Sequence, residues 1–445
     1  MYLNYKAAFL SLVLVSGSVI PVFSQEKPQK PEENKLETLY LTVDDAVNYA
    51  LEGNLSLKQS QISLRTSERA SEYSWSSFIP TITGSAAYST DPTSADDSSS
   101  ISLGATASLR LTPALYTTIR NTKLSYEKNQ MDYESAVRSI ELQVRKIYYS
   151  LLYSQENISL LKNNVESAKN QYDQNQARYN RGALARIDVL SAQVSYQNSE
   201  ASLKTAENSF NSSLESFKQL LGIPLPQEVI LKGSLNDILE LGDIDITGIE
   251  ISSASFKSIE KQIEIVENSL LAARFSAYGP SLSASFGYTY AGSNRTAGDG
   301  SYSFSGSPSL SFSASIPLDG YIPWSSGALS IENQKDTIES LYLQLDDAKT
   351  TATMNVQSYV NQLQLERETV ELRKSSIDVA QQTYDLTQEA YSRGTKDLLT
   401  LQSASDSLLQ AKVNLMSEAY NMVVALLNLE DALGIPYGSL GVKAE

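Results

Sequence analysis

The sequence predicts a mixed fold, coiled-coil helices joined to a β-barrel type of sheet, with the whole arrangement written twice. Three observations carry this. Tyr179-Asn180-Arg181-Gly182 returns as Tyr391-Ser392-Arg393-Gly394, and Leu221-Gly222-Ile223-Pro224 returns as Leu433-Gly434-Ile435-Pro436. Both pairs stand 212 residues apart (394 − 182 and 436 − 224), so the repeat needs no gap. Next, apolar residues recur every seven positions through Val137, Val144, Leu151, Ile158, Val165, Tyr172 and Tyr179. Lastly, two regions alternate apolar residues with serine and threonine at the strand period of two.

The heptads come first because they are the longest signal. Ile140, Ile147, Leu161 and Ala168 supply most of a second seam, and no Pro or Gly interrupts the run from about Pro113 to Asn180. At ~1.5 Å per residue such a helix reaches roughly 100 Å. After Gly182 the pattern restarts on a returning helix with Val189, Tyr196, Leu203, Phe210 and Phe217. The second copy places Leu401, Leu408, Leu415, Met422 and Leu429 at those positions. A neighbouring seam is small: Ala192, Ser199, Ala206 and Ser213, then Ala404, Ala411 and Ala425. Large and small seams side by side suit a wall of helices better than a solid bundle. Arg181-Gly182-Ala183 and Arg393-Gly394-Thr395 therefore sit at the turns of two long hairpins, where glycine supplies a positive φ. Those turns are either caps alone or caps that also dock a partner.

The strands come next. Ile82, Gly84, Ala86 and Tyr88 alternate with Thr and Ser, as do Ile101 through Leu111 after a polar loop at 91–100. In the second half Leu282 through Tyr290 and Tyr302 through Leu318 repeat the pattern around a Gly-rich loop at 292–300. Strands of about ten residues with one apolar face match a membrane barrel; a half-buried sheet in a soluble sandwich is the alternative. Four strands cannot close a barrel, and lipid tolerates no open edge, so membrane strands here require several chains to share one barrel. Trp75, Tyr321 and Trp324 lie near the strand junctions, where an interfacial aromatic belt falls.

The expected organisation is a signal peptide at 1–24, with the apolar run Ala7 to Ile20, and a polar linker at 25–41. A helical segment follows at 42–80, opened by Thr42 as N-cap with Asp45 three residues on, and Gly53-Asn54 is the place in it where a break is expected. Then come a β-hairpin at 81–112, a helical hairpin at 113–221 and an irregular segment at 222–248. The second repeat gives a helix at 249–280, a β-hairpin at 281–322 and a helical hairpin at 323–433, before a tail at 434–445.

Composition excludes several function classes. The 445 residues carry a net charge of −16 and no basic stripe, which argues against nucleic acid. The chain has no Cys, hence no disulfide, thiol catalysis or lipid on a cysteine. It has no His, the commonest metal ligand and general base. An enzyme would need a carboxylate or Ser/Lys site, and no such pair stands out at helical spacing. No cofactor or metal is expected.

Helix, β-hairpin and long helical hairpin, twice over, resembles the TolC family of outer-membrane efflux ducts across essentially the whole mature chain. The residues that carry the likeness are Gly182 to Ala192, their counterparts Gly394 to Ala404, and the twin Leu-Gly-Ile-Pro ends. The resemblance implies a homotrimer with a twelve-stranded shared barrel in outer-membrane lipid and a long periplasmic α-helical barrel. It implies a periplasmic adaptor (a membrane fusion protein) at the tips and an inner-membrane pump of the RND, ABC or MFS type. The duct would be passive and would serve drug efflux or type I secretion.

In the family, links between neighbouring hairpins hold the tips shut. The family's gate Asp matches Asp188, its gate Tyr matches Tyr391, and its basic residue matches Lys396, where Arg is more familiar. Lys lacks the bidentate fork of Arg, which implies a looser latch. Alternatively Asp188 merely caps or favours the start of the returning helix. The family's acidic rings fall on Thr400 and Ser403 here, and the nearest acids are Asp397 and Asp406, so a displaced ring at Asp406 is one expectation. The rival to the duct is a periplasmic or surface coiled-coil scaffold or adhesin without a channel.

Overall fold

The computed structural model describes residues 38–90, 99–235, 254–294 and 302–440. The expected signal peptide, most of the linker, both strand-joining loops and much of the inter-repeat segment lie outside the described residues.

The first helix, α1 (Val43–Gly53), opens on a reciprocal capping box. Thr42 Oγ1 accepts from the Asp45 amide at 3.2 Å, and an Asp45 oxygen accepts from the Thr42 amide at 3.0 Å. The Thr42 hydroxyl, donating to the same carboxylate oxygen at 2.7 Å, and the Thr42 amide hold the Asp45 carboxyl below its usual range. The chain breaks at Asn54, which caps α2 (Leu55–Glu72) by accepting from the Leu57 amide at 3.0 Å. A 3₁₀ turn, Tyr73–Phe78, then delivers the chain to Pro80 and the sheet.

The end of the expected linker is not linker. Leu39–Leu41 form a short strand, β1, pairing in parallel with β4 (Val229–Leu231) inside the segment expected to be irregular. Three residues are too few for a period-two signal, and tertiary pairing makes this strand. Tyr148 of α3 stitches it down, its buried hydroxyl donating to the Leu41 carbonyl at 3.0 Å and to that of Lys232. Burial pushes that phenol up to about 12.

Four long strands form one antiparallel sheet in the order β2-β3-β5-β6, namely Thr81–Thr90, Ser99–Leu111, Ser281–Asn294 and Ser303–Ser315. β3 begins at Ser99 and β5 runs to Asn294, so the loops are shorter than expected. Register puts every Ser and Thr file on one face: Ser285 pairs with Ser108 and Ser311, and Phe286 with Ala107 and Leu310. β2 and β6 are the open edges.

The helical hairpins repeat to the residue. α3 (Ala114–Asn180) and α6 (Ser326–Ser392) are each 67 residues, and α4 (Arg186–Leu221) and α7 (Leu398–Leu433) are each 36. Helix α5 (Ala254–Tyr278) packs on α3 and α6. The four hairpin helices lie side by side as α4-α3-α7-α6, so α4 and α6 are the edges of this wall. One core joins α1, α3, α4 and the β1–β4 pair, with Tyr148, Phe217 and Leu221 nearly sealed from solvent, and a second runs along α6 and α7.

The tail folds back onto the second core. Fully buried Glu430 accepts from the amides of Gly438 (2.8 Å) and Leu440 (2.9 Å). Arg138 donates to the Ile435 carbonyl at 2.8 Å and lies over the Tyr437 ring. Burial raises the Glu430 carboxyl and those amides oppose it.

The hairpin tips as candidate functional site

Each tip is a short exit and re-entry. Gly182 has φ 72° and Gly394 φ 74°, in the left-handed region that favours glycine. Their amides reach back to the Tyr179 and Tyr391 carbonyls at 2.8 and 3.0 Å. A Cβ on either glycine would meet nothing within 4 Å, so dihedral angle rather than packing demands glycine. Arg181, Ala183, Arg393 and Thr395 are exposed around them. Arg393 pairs with Glu389 one turn earlier.

The returning helices start differently. Asp397 caps α7, accepting from the Thr400 amide at 2.9 Å, and bonds to Thr400 hold its carboxyl below the usual range. The first copy has Ala185 as N-cap, without a side-chain cap. Asp188 is therefore not the cap; it sits in the first turn of α4, where the helix dipole favours a negative charge.

Tyr391 is where the hairpins meet. It is only 9% exposed, and its hydroxyl donates to Asn175 Oδ1 at 2.8 Å, joining α6 to α3. Tyr172, Ala192, Tyr384, Leu398 and Leu401 pack around it, and Arg178 lies 5.6 Å over its ring. Asn175 is fully buried and also accepts from Gln171 at 3.3 Å, while its Nδ2 has no partner.

Thus the structure brings Tyr391 to Asn175 and not to Asp188 or Lys396. Among the described residues no hydrogen bond or ion pair joins Asp188, Tyr391 and Lys396. Half-buried Asp188 and exposed Lys396 are left to face other groups. Ser403 and Asp406 are exposed on α7 beside a shallow groove against α6, and Asp406 also borders a polar cleft with Gln171, Ser195 and Tyr384. Sequence reasoning missed Asn175, yet a signal was there. It falls seven residues after Ala168 on the second seam of α3, a polar residue at an apolar position.

Among the described residues no acidic cluster could hold a metal, and no helix is long and apolar enough to cross a membrane. The sheet is a different matter, since its apolar face carries Ile82, Leu103, Phe286 and Phe312, from 49% to 79% exposed. A sheet with hydroxyls on one face and bare apolar side chains on the other, continued by a wall of 67-residue helices, defines an outer-membrane channel of the TolC type.

The outer membrane efflux protein family model matches residues 46–223 and 253–435, one segment per repeat. The chain belongs to that family, whose members are efflux channels of the outer membrane rather than enzymes. Its fold is similar to that of CusC, with TM-score 0.72 and 14% identity over 92% of this chain and 99% of that one. The CmeC outer membrane channel of Campylobacter jejuni follows, at 0.68 and 19% over 88% and 85%. The MtrE channel of Neisseria gonorrhoeae, solved in an open state, gives 0.65 and 16% over 88% and 89%. No curated protein sequence matches the chain.

Proposed function

We propose that three copies of this chain form a passive exit duct, gated at the hairpin tips by a periplasmic adaptor that couples it to an inner-membrane pump of the RND, ABC or MFS type. Drug efflux and type I secretion are the two transport classes this serves. The observation that carries the reading is that both layers are open in the same way. The sheet ends on β2 and β6, and the helical wall ends on α4 and α6. Lipid tolerates no open sheet edge. On α6, Leu365, Leu372, Val379 and Leu386 are at least 61% exposed at strict spacings of seven, an apolar seam without a partner among the described residues. On α4, Ile187 and Val194 are exposed, also seven apart. A ring of three joins β6 to β2 and α6 to α4 of the next copy and covers all of these at once.

The tips are the gate in this reading. Tyr391 and Asn175 bolt the two hairpins of one copy together. Asp188, Lys396, Thr400, Ser403 and Asp406 are the candidate contacts between copies, and Arg181 to Ala183 with Arg393 to Thr395 meet the adaptor. Partly exposed contacts of this kind contribute only ~1 kcal/mol each, so a docking partner can undo them.

The test is conductance in planar bilayers. The purified chain should form channels, and Asp188→Ala with Tyr391→Phe should raise the single-channel conductance. Unchanged conductance would remove the latch. Gly182→Trp and Gly394→Trp should abolish efflux and adaptor crosslinking while the assembly stays intact. Efflux at the wild-type level would remove the tips as the docking site.

A further inference from the structure

Arg110 is the single charged residue in the four strands of the sheet. Its register partner is Ser283, on the hydroxyl face, two positions along β3 from Ser108. Every other residue on that face is Ser, Thr, Gly or Ala. Many of those hydroxyls satisfy one another across the strands, as in Ser285–Ser311 at 2.6 Å and Ser89–Ser100 at 2.7 Å. Arg110 has no such partner: it is exposed, and among the described residues no carboxylate or carbonyl is bonded to it. It stands one residue from the end of β3 and three before Pro113, where the long helices begin. The hydroxyl face thus carries one fixed charge per chain, at its junction with the helical tunnel.

We infer that Arg110 is a selectivity-determining residue of the duct, three copies forming a cationic ring that favours anions and solutes bearing carboxylate or phosphate groups. This rests on the three-chain reading above. Twelve strands ~4.8 Å apart and tilted ~40° put the backbone roughly 12 Å from the axis. An arginine reaching several Å inward brings its charge to within about one Debye length, ~8–10 Å at moderate salt, of any solute on that axis. A guanidinium is always charged and holds carboxylate or phosphate bidentately, which hydroxyls do not. The chain as a whole is acidic at −16, so this ring acts against the surrounding field. An acidic chain otherwise favours cations along the tunnel.

The experiment is the reversal potential of the purified protein in planar bilayers under a tenfold KCl gradient. The chloride-to-potassium permeability ratio should fall from wild type to Arg110→Ser and further to Arg110→Glu. Arg110→Lys should keep the wild-type ratio. The differences should shrink between 0.1 M and 1 M mean salt, because screening removes them. Ser283→Asp, opposite Arg110 in register, should lower the ratio even if the arginine variants fail to assemble. A ratio unchanged in Arg110→Glu or in Ser283→Asp, with conductance intact, overturns the ring and leaves the duct standing. Absence of conductance in the wild type overturns the duct itself.

Discussion

Helices α4 and α7 are one element written twice, equal in length and aligned residue for residue, yet they live in different surroundings. Ala419 of α7 is completely buried, whereas its counterpart 212 positions earlier is Glu207, half-buried and 3.5 Å from Lys162. Ala425 is completely buried where α4 has Ser213, which is exposed. The cause is position in the wall. Helix α7 lies between α6 and α3, with neighbours on both sides, while α4 has α3 on one side and meets only α1 besides, at its C-terminal end, among the described residues. Large and small seams serve α7 within one chain. On α4 and α6, the edges, the second seam waits for another copy. The repeat therefore specifies a wall with one sealed middle and two unfinished sides.

The sharpest way to break this comparison is to exchange residues between the two helices. Ala419→Glu should destabilise the folded chain by about 3–5 kcal/mol, because it buries an unpaired charge. Glu207→Ala should stay within about 1 kcal/mol. Denaturant titration of the detergent-solubilised protein measures both, and equal effects would mean α4 and α7 are equally enclosed. On the sheet the same contrast runs between faces. Phe312→Lys should cost about 2–4 kcal/mol of membrane assembly and its neighbour Ser311→Lys far less, read by folding into lipid vesicles. Equal penalties would place lipid on neither face.

At the edge, Leu372→Asp is expected to leave the folded chain's melting nearly unchanged, since the side chain is 71% exposed there, while removing the three-chain species in native mass spectra. A retained trimer would move the interface elsewhere. At the tips, Tyr391→Phe should cost about 1 kcal/mol by removing the shorter of the two hydrogen bonds to buried Asn175 Oδ1, and Asp188→Ala less than that. Proteolysis at the tips, faster in the first variant than in the second, checks the order.

The smallest effect is a pH slope in the second hairpin. Burial raises the Glu366 carboxyl, and the adjacent Glu418, itself paired with Arg373 at 3.3 Å, raises it further. The folded chain thus binds that proton more tightly than the unfolded one. Stability is fullest at low pH and declines as pH rises through the raised value. Glu366→Gln should flatten the slope; an unaltered slope would assign it to other groups.

Much of this was legible in the residues. Heptads and the repeat determine helices that match across the two copies, because a seam of large apolar side chains leaves a long helix one way to pack. Serine files set the sheet faces through the period of two. Contacts made by a single residue across the fold stayed hidden. The β1–β4 pair depends on three residues held under Tyr148. The Tyr391–Asn175 bond joins positions 216 residues apart, and family likeness pointed instead to Asp188. Capping of α7 by Asp397 was hidden too, since its counterpart 212 positions earlier is Ala185, which has no side-chain cap.

The most direct test of the central claim, that each chain is an unfinished third of a ring, is the native mass of the detergent-purified mature protein. A three-chain particle is expected, with no stable dimer, in which the α4 and α6 edges are protected from hydrogen exchange. A monodisperse single chain with those edges protected, or a ring of another number, would contradict it.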